Sequence, residues 1–289
     1  MNTTLPSQTA TPVEREFPFS YEDFDYLRKI VNGRTGIVVT DEKYDMFYSR
    51  LVRRIRLLRL QNFTQYCDLI KSEDGQAEII QLVNAITTNL TSFFRENHHF
   101  EFLLQRVIPE LQNRAPAERK LRIWSAGCST GEEPYSIAMT VAESGLASKG
   151  WDIKILATDI DSNVLEQAAS GVYNMDRVEN LPQQRLQRWF LKGKKEQAGK
   201  VRVKPEVHKP IEFAQLNLNS AWVLPEMVDI VFCRNVIIYF DRESKRTLID
   251  RIAENLVMGG YLFIGHSESM FRVSERFELV GNTIYRKIK

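Results

Sequence analysis

A loop that contains two glycines is the first feature of the sequence that could bind a ligand. The string SAGCSTGEEPYSIAM places Gly127 and Gly131 four residues apart, and Pro134 stands where a helix would begin. A turn of this kind between a strand and a helix presents backbone N–H groups to a ligand. Two acids, Glu132 and Glu133, open the helix; they would repel a pyrophosphate and favour a ligand with an ammonium group. The alternative is that both glutamates only complement the helix dipole at the surface.

Polar side chains also follow three predicted strands. Asp159 ends the second strand, Asn217 follows the third, and Arg234 and Asn235 follow the fourth, whereas Asp161 is expected mainly to cap the next helix. Because the carboxyl ends of parallel strands share one edge of an open sheet, these side chains are expected in one crevice. An acid at the second position can hold a ribose diol. Together with the loop and the absence of a phosphate-binding lysine, this favours S-adenosylmethionine over NAD or ATP.

The elements that must position these residues change in character near residue 120. Upstream, apolar residues recur at helical spacing, most clearly from Phe100 to Leu111, which predicts an all-helical N-terminal third. Downstream, short apolar runs alternate with amphipathic segments, which predicts an α/β doubly wound, mostly parallel sheet. Near the C-terminus, Gly281 and Asn282 separate two β-prone runs and predict a closing antiparallel hairpin. The apolar runs are LRIWSA, DIKILATD, IEFAQL, VDIVFC and GYLFIG.

The connection that leads from Asp161 to the third strand is longer than a crossover needs. It contains VRV and IEF as short strand candidates around a basic turn that includes glycine. This pattern predicts a small antiparallel β-insertion at about 190–214. A free edge of such a sheet could recruit an extended peptide.

The composition excludes several classes of protein. The chain has 289 residues, is 43% hydrophobic and carries a formal charge of +2, which is typical of a globular protein of one or two domains. The small net charge argues against a dedicated nucleic-acid binder. Cys67, Cys128 and Cys233 are widely separated and the histidines complete no zinc spacing, which favours a reducing compartment and no metal. No signal peptide or membrane-length apolar run is present, so a cytoplasmic protein is expected.

Five strings, in order and in register, resemble those of the chemotaxis receptor glutamate methyltransferases, the CheR family. They are TTNLTSFFRE (87–96), SAGCSTGEEPYSIAM (125–139), ATDID (157–161), FCRNVIIYFD (232–241) and GHSES (265–269). The resemblance covers nearly the whole chain from about residue 20. It implies a seven-stranded sheet of the class I methyltransferase type, and the transfer of a methyl group from S-adenosylmethionine to receptor glutamates, which gives methyl esters and S-adenosylhomocysteine.

The pattern and the resemblance together divide the chain. The expected parts are a flexible N-terminus at 1–16, an all-helical domain at 17–90, a linker and connecting helix at 91–118, and an S-adenosylmethionine-binding α/β domain at 119–289. The implied partners are methyl-accepting chemotaxis receptors, through their cytoplasmic coiled-coil region and, as in some family members, through a C-terminal receptor peptide at the β-insertion. A monomer is expected, without nucleic acid and without insertion into the membrane.

The resemblance also implies roles for individual residues. Asn89, Thr91 and Arg95 would reach the cofactor from the linker, and Gly127 would shape the loop that holds it. Glu133 would bind the ammonium of the cofactor, Asp159 its ribose, and Asn217 with Leu218 its adenine side. Arg234 and Asn235 would line the pocket, and Tyr239 would face the methyl group. Arg95 is the strongest catalytic candidate, because a guanidinium can hold both the cofactor and an incoming carboxylate. The alternatives are a solvated linker residue for Arg95 and core packing for Tyr239. Since a carboxylate nucleophile is already ionised near neutral pH, neither a general base nor a metal is required.

A run of like charge lies in the N-terminal third. Between Met46 and Gln61 there are five arginines and no acid, and on a helix three of them share one face while two flank it. An exposed basic face would attract an acidic helical substrate, and the alternative is an ordinary solvated face. The arginines are Arg50, Arg53, Arg54, Arg56 and Arg59.

Two other functions fit the same fold. One is a methyltransferase that acts on RNA or on a protein amide; the amide type usually carries an Asn-Pro-Pro-Tyr string, where this chain has Arg234-Asn235-Val236-Ile237. The other is a non-catalytic cofactor sensor or scaffold, against which the intact Arg95, Asp159 and Tyr239 argue.

Overall fold

A computed structural model describes residues 15–73, 75–113, 115, 118–270 and 273–289. The described residues form two compact units, one from 15–31 together with 39–86, and the other from 32–38 together with 87–289. The predicted flexible N-terminus at 1–16 lies outside the described residues except for Arg15 and Glu16, which pair with Asp45 and Arg56. No helix in the described ranges is both long and apolar enough to cross a membrane.

The first unit is helical, as predicted. Its helices are α1 (Tyr21–Thr35), α2 (Tyr44–Leu57), α3 (Phe63–Lys71) and α4 (Gly75–Ile86). Their apolar stripes meet in a core in which Leu51, Ile55 and Leu82 are fully buried. α3 begins at a side-chain cap, since Asn62 accepts a hydrogen bond from the backbone N–H of Gln65 at 2.9 Å.

The second unit is a sheet covered by helices. Its helices are α5 (His98–Phe102), α6 (Ile108–Gln112), α7 (Glu132–Glu143), α8 (Ser162–Ser170), α9 (Gln183–Trp189), α10 (Pro205–His208) and α11 (Arg242–Asn255). Its strands are β1 (Lys120–Ala126), β2 (Asp152–Asp159), β3 (Val172–Asn174), β4 (Phe190–Lys192), β5 (Lys200–Val203), β6 (Ile211–Gln215), β7 (Val228–Cys233), β8 (Leu256–Ile264), β9 (Phe277–Gly281) and β10 (Ile284–Lys287).

Seven of these strands form one sheet in the order β6-β2-β1-β7-β8-β10-β9. The pairs from β6 to β8 are parallel, and β10 runs antiparallel to β8 and β9. The mostly parallel sheet and its closing hairpin are therefore confirmed. Every residue of β7 is buried, because helices cover both faces of its part of the sheet. Opposite faces carry separate apolar clusters, one around Phe232 and the other around Trp124.

A small antiparallel sheet is also present, with the order β3-β5-β4. Its bounds differ from the prediction of about 190–214. VRV belongs to β5, but Ile211–Gln215 pairs in parallel with β2 and lies in the large sheet. The third strand of the insertion is instead Val172–Asn174, which is too short to show an alternating pattern.

The segment predicted as linker and connecting helix, 91–118, is helical from His98 to Gln112. A wider, π-type turn over Leu103–Val107 separates α5 from α6. Pro109, which has no N–H to donate to the preceding turn, accounts for this interruption. Residues 114, 116 and 117 lie outside the described part of the chain.

Candidate functional site

The loop between β1 and α7 turns sharply toward β2. The backbone N–H groups of Gly127 and Cys128 both donate to the carbonyl of Thr158, at 2.8 and 2.9 Å. Gly127 has a φ of +81°, and a Cβ there would lie 2.4 Å from the side chain of Val236. Glycine is required at this position because a side chain would be both strained and blocked.

Asp159, at the end of β2, is buried beneath this loop. One carboxylate oxygen accepts a hydrogen bond from the N–H of Ser129 at 2.8 Å, and the other accepts from the N–H of Asp161 at 3.0 Å. Burial raises the pKa of Asp159, and these backbone donors oppose that rise. The backbone N–H of Ile160 also faces this carboxylate. Since each carboxylate oxygen can accept two hydrogen bonds, Asp159 keeps acceptor capacity that suits a ribose hydroxyl.

The linker that follows α4 is held against the ends of β1 and β2. The side chains of Thr87 and Asn89 donate to the same oxygen of Asp161, at 2.9 and 2.7 Å. Ser129 in turn donates to the carbonyl of Asn89 at 2.9 Å. Asp161 also caps α8, as predicted, by accepting from the N–H of Asn163. The structure thus brings Asn89 beside the loop under which Asp159 lies.

Glu133 and Arg234 meet in the interior. Glu133 accepts a hydrogen bond from Ser125 Oγ at 2.7 Å and from an Arg234 amino group at 3.2 Å. The same guanidinium pairs with Glu96 at 3.1 Å and donates to the carbonyl of Arg95. Burial raises the pKa of Glu133, and Arg234 opposes this rise. Arg234 therefore holds both Glu133 and the linker in place.

Glu132 does not lie at the surface, so the interpretation that both glutamates only complement the helix dipole there is wrong. Its side chain is fully buried, accepts a hydrogen bond from Thr130 Oγ1 at 2.6 Å and pairs with Arg177. Arg177 also donates to the carbonyl of Thr91 at 2.8 Å. A buried carboxylate needs a partner of this kind. Through its bonds to Glu132 and to Thr91, Arg177 connects the linker to the segment after β3.

Arg95 lies on the linker with a partly exposed side chain. One amino group donates to the carbonyl of Leu90 at 2.8 Å. Thr91, two residues beyond Asn89, is half-buried. The structure therefore places Arg95 on the same linker as Asn89 and Thr91, and its predicted role in catalysis stays a prediction.

Asn217 and Leu218 follow β6, but both side chains have partners within the protein. Asn217 donates to the carbonyl of Arg34 at 2.6 Å and accepts from the N–H of Asn219 at 3.0 Å. Leu218 is buried in the apolar cluster around Trp124. A contribution of these residues to an adenine pocket stays a prediction.

The end of α1 and the residues after it contact the loops that follow β6 and β7, a placement that sequence reasoning missed. Residues 32–38 belong to the second unit, and Gly36 approaches Asn219 so closely that a Cβ would lie 2.6 Å from its side-chain oxygen. The N–H of Val38 donates to the carbonyl of Tyr239 at 2.8 Å. In the sequence, the local signal of a turn here is Gly36 itself, and its φ in the structure is +73°.

Asn235 and Tyr239 lie in the loop after β7. Asn235 has a left-handed backbone with a φ of +59°, a conformation that asparagine adopts more readily than most residues. Tyr239 is half-buried, whereas its neighbour Phe240 is buried in the core. Phe240 thus packs in the core, and the role of Tyr239 in facing the methyl group stays a prediction.

Four of the five arginines lie on α2 and Arg59 follows it. Three of the five have partners within the protein, so the expectation of a run without compensating acids is wrong. Arg54 forms a two-pronged ion pair with Glu78, with N···O distances of 2.9 and 2.6 Å. Arg56 pairs with Glu16, and Arg50 donates to a backbone carbonyl. These acids lie 24 and 40 residues away in sequence, so the local pattern could not reveal them.

The burial of His99 leads us to expect that the free energy of unfolding depends on pH. Its ring is fully buried and bonds to Thr283 Oγ1 at 2.9 Å, and burial, aided by nearby Arg234, lowers its pKa to about 3. The unfolded chain gains a proton below pH 6.5 while the folded chain stays neutral, so stability is lost as pH falls from 6.5 toward 3. At about 1.4 kcal/mol per pH unit, the loss is about 2 kcal/mol between pH 6.5 and pH 5.

Urea unfolding of the wild type and of His99→Gln at several pH values measures this loss. We expect the variant to be less stable at pH 7 but to lose about 2 kcal/mol less between pH 6.5 and pH 5. Parallel pH dependences would show that His99 takes up its proton equally in both states.

Comparison with known proteins decides the family. Residues 22–87 match the family described as "CheR methyltransferase, all-alpha domain", and residues 89–286 match "CheR methyltransferase, SAM binding domain". The chain belongs to the CheR methyltransferase family. Its cofactor is S-adenosylmethionine, as the description of that domain states.

Curated relatives agree over nearly the whole length. The chain is 44% identical to "Chemotaxis protein methyltransferase 2" of Pseudomonas aeruginosa, over 97% of this chain and 99% of that one. It is 42% identical to "Chemotaxis protein methyltransferase" of Escherichia coli, over 99% of this chain and 98% of that one. The protein of the same name from Salmonella typhimurium is 41% identical with the same coverage.

The residues present in this CheR chain fit S-adenosylmethionine. The remaining acceptor capacity of Asp159 suits a ribose hydroxyl, and the buried carboxylate of Glu133 suits the ammonium. Three residues beside these groups were not assigned a site role from sequence alone. Ser129 and Asp161 donate backbone hydrogen bonds to Asp159, and Glu96 pairs with Arg234; Asp161 was expected only as a helix cap.

Proposed function

We propose that the protein transfers a methyl group from S-adenosylmethionine to glutamate side-chain carboxylates of chemotaxis receptors, forming glutamyl methyl esters. The observation that carries this proposal is the pair of buried carboxylates, Asp159 and Glu133, beside one loop at the carboxyl edge of the sheet. They suit the ribose and the ammonium of the cofactor. The names of the relatives supply the chemotaxis context.

For this reaction the protein mainly has to position the cofactor and the glutamate. When bound, S-adenosylmethionine supplies a methyl group on a positively charged sulfur. The glutamate nucleophile is ionised near neutral pH, so no side chain has to remove a proton from it. In this proposal Glu133 holds the ammonium of the cofactor and Asp159 holds its ribose, and Arg95 orients the incoming carboxylate through a two-pronged interaction.

Tritiated S-adenosylmethionine and membranes that contain receptors test the proposal. We expect label on receptor protein that mild alkali releases as methanol, because esters are base-labile. A receptor whose acceptor glutamates are replaced by alanine is the matched control and should remain unlabelled. Alkali-stable label would favour methylation of an amide, label on added RNA would favour an RNA methyltransferase, and no label on any substrate would favour a non-catalytic scaffold.

We further propose that Arg53 and Arg59 contribute to receptor binding. Both side chains are exposed, unlike the half-buried Arg54, which pairs with Glu78. Exposed positive charge accelerates the approach of an acidic partner and is screened by salt. Of the arginine run, these two are the clearest candidates for a substrate-facing surface.

Reversal of both charges, Arg53→Glu with Arg59→Glu, is expected to lower kcat/KM for receptors about 10-fold at low salt. The affinity for S-adenosylhomocysteine should stay unchanged, and high salt should narrow the difference from the wild type. Exposed Lys29 on α1 offers a control in Lys29→Glu. Equal loss of receptor methylation and cofactor affinity would assign the arginines a structural role.

The small sheet offers a second contact for a receptor. β4 lies at its edge, and Leu191 there is half exposed. We propose that a C-terminal receptor peptide pairs with this sheet by strand addition. We also propose that the protein acts as a monomer in the cytoplasm, where its buried free thiols Cys67, Cys128 and Cys233 would stay reduced.

A further inference from the structure

Glu268 is a buried carboxylate with several backbone donors directed at it. One of its oxygens accepts from the N–H of Gly265 at 2.6 Å and from the N–H of Asn235 at 3.0 Å. The other oxygen accepts from the N–H of Ile238 at 3.1 Å. Its residue surface is only 6% exposed, so these hydrogen bonds are shielded from water.

The donors come from two different loops. β7 ends at Cys233 and β8 ends at Ile264, and these two residues are partners in neighbouring parallel strands. Asn235 and Ile238 lie in the loop after β7, and Gly265 begins the loop after β8. Glu268 thus connects the carboxyl ends of two adjacent strands at the edge where the cofactor site lies.

The connected backbone is tightly constrained. Asn235 adopts a φ of +59°, and a Cβ on Gly265 would lie 2.4 Å from the Asn235 side-chain nitrogen. The backbone N–H of Glu268 donates to the carbonyl of Gly265 at 2.9 Å, which closes a turn. A left-handed residue at a crowded contact persists only where its surroundings stabilise it. Here the Glu268 carboxylate provides that stabilisation.

We propose that Glu268 is a positioning residue for methyl transfer, which holds the loop from Asn235 to Tyr239 in its active geometry. The inference rests on the proposed function, since this loop carries the residues expected to line the pocket and to face the methyl group. Glu268 acts through the backbone of that loop. The transfer distance is set by positioning, so a small loop displacement lowers the rate.

An ionised carboxylate suits this role better than an amide. Both of its oxygens are acceptors, whereas the side chain of glutamine offers one acceptor and one NH₂ group. In Glu268→Gln the NH₂ group would therefore face either the N–H of Ile238 or the N–H groups of Gly265 and Asn235. In either orientation the loop after β7 would lose one of its two hydrogen bonds to residue 268, and in the second orientation the loop after β8 would lose its hydrogen bond as well.

The test compares Glu268→Gln with the wild type in two measurements. Calorimetry with S-adenosylhomocysteine gives the affinity and the number of binding sites, and labelled S-adenosylmethionine gives kcat for receptor methylation per binding site. We expect kcat to fall at least 10-fold while the dissociation constant changes less than about 3-fold, since Asp159 and Glu133 lie on other elements. Glu243→Gln, at an exposed position of α11, is the matched control and should behave as the wild type.

Different results would contradict the positioning role of Glu268 and the proposed function. An unchanged kcat per binding site, or an equal loss of kcat and affinity, would overturn the positioning role while the wild type remains active. A wild type that binds S-adenosylhomocysteine but methylates no receptor would overturn the proposed function, and the inference with it. If Glu268→Gln does not fold, Glu268→Asp keeps the charge but shortens the reach; a normal kcat in that variant would also overturn the role.

Discussion

Replacing Arg95 by alanine is expected to lower receptor methylation about 100- to 1000-fold while the chain stays folded. The proposed mechanism depends on a guanidinium that orients the incoming carboxylate, and removal of one oriented hydrogen-bond donor from a reacting group has effects of this size. The structural cost is small, because the Arg95 side chain is partly exposed and donates to the backbone carbonyl of Leu90. Initial rates with labelled S-adenosylmethionine and thermal unfolding by circular dichroism measure the two effects.

Two further variants sharpen this prediction. Arg95→Lys keeps the charge but loses the two-pronged geometry, so an intermediate rate is expected. Arg106→Ala removes an exposed arginine from the connecting helix and should leave the rate unchanged. Near-normal turnover in Arg95→Ala would exclude Arg95 from the mechanism.

The second large effect is expected for Asp159→Asn, which should weaken the binding of S-adenosylhomocysteine at least about 100-fold. The carboxylate uses one lone pair of each oxygen for the N–H groups of Ser129 and Asp161. An amide would direct its NH₂ group at one of these donors and would leave only one oxygen for the ribose diol. Calorimetric titration with S-adenosylhomocysteine measures the loss of affinity.

Asp176→Asn is a suitable control, because it changes the same functional group at an exposed position. It should leave the affinity unchanged. Retained affinity in Asp159→Asn would show that the carboxylate serves only to organise the loop through its backbone contacts. The assignment of the ribose to Asp159 would then be withdrawn.

Much of the architecture could be predicted from sequence because its causes are local. Strands buried on both faces, such as β7, are continuous apolar runs, and helices such as α2 show apolar residues at regular spacing. The order of these elements requires parallel pairing, which places the ends of β2 and β7 at the same edge. The glycines of the loop after β1 stand where the backbone has a positive φ.

The contacts around the site could not be predicted, because they join residues that are far apart in sequence. The ion pair of Arg54 with Glu78 removes Arg54 from the predicted exposed basic face. Glu132 is buried because Arg177, 45 residues away, compensates its charge.

The sequence by itself thus determined the fold class, the family and the strand ends at which the candidate residues stand. Tertiary structure alone decided which charges are compensated, how Gly36 joins the second unit, and that Glu268 connects two loops. The physical reason is that periodicity reports which face of an element is buried, whereas hydrogen bonds and ion pairs depend on distances between elements that the chain brings together only on folding.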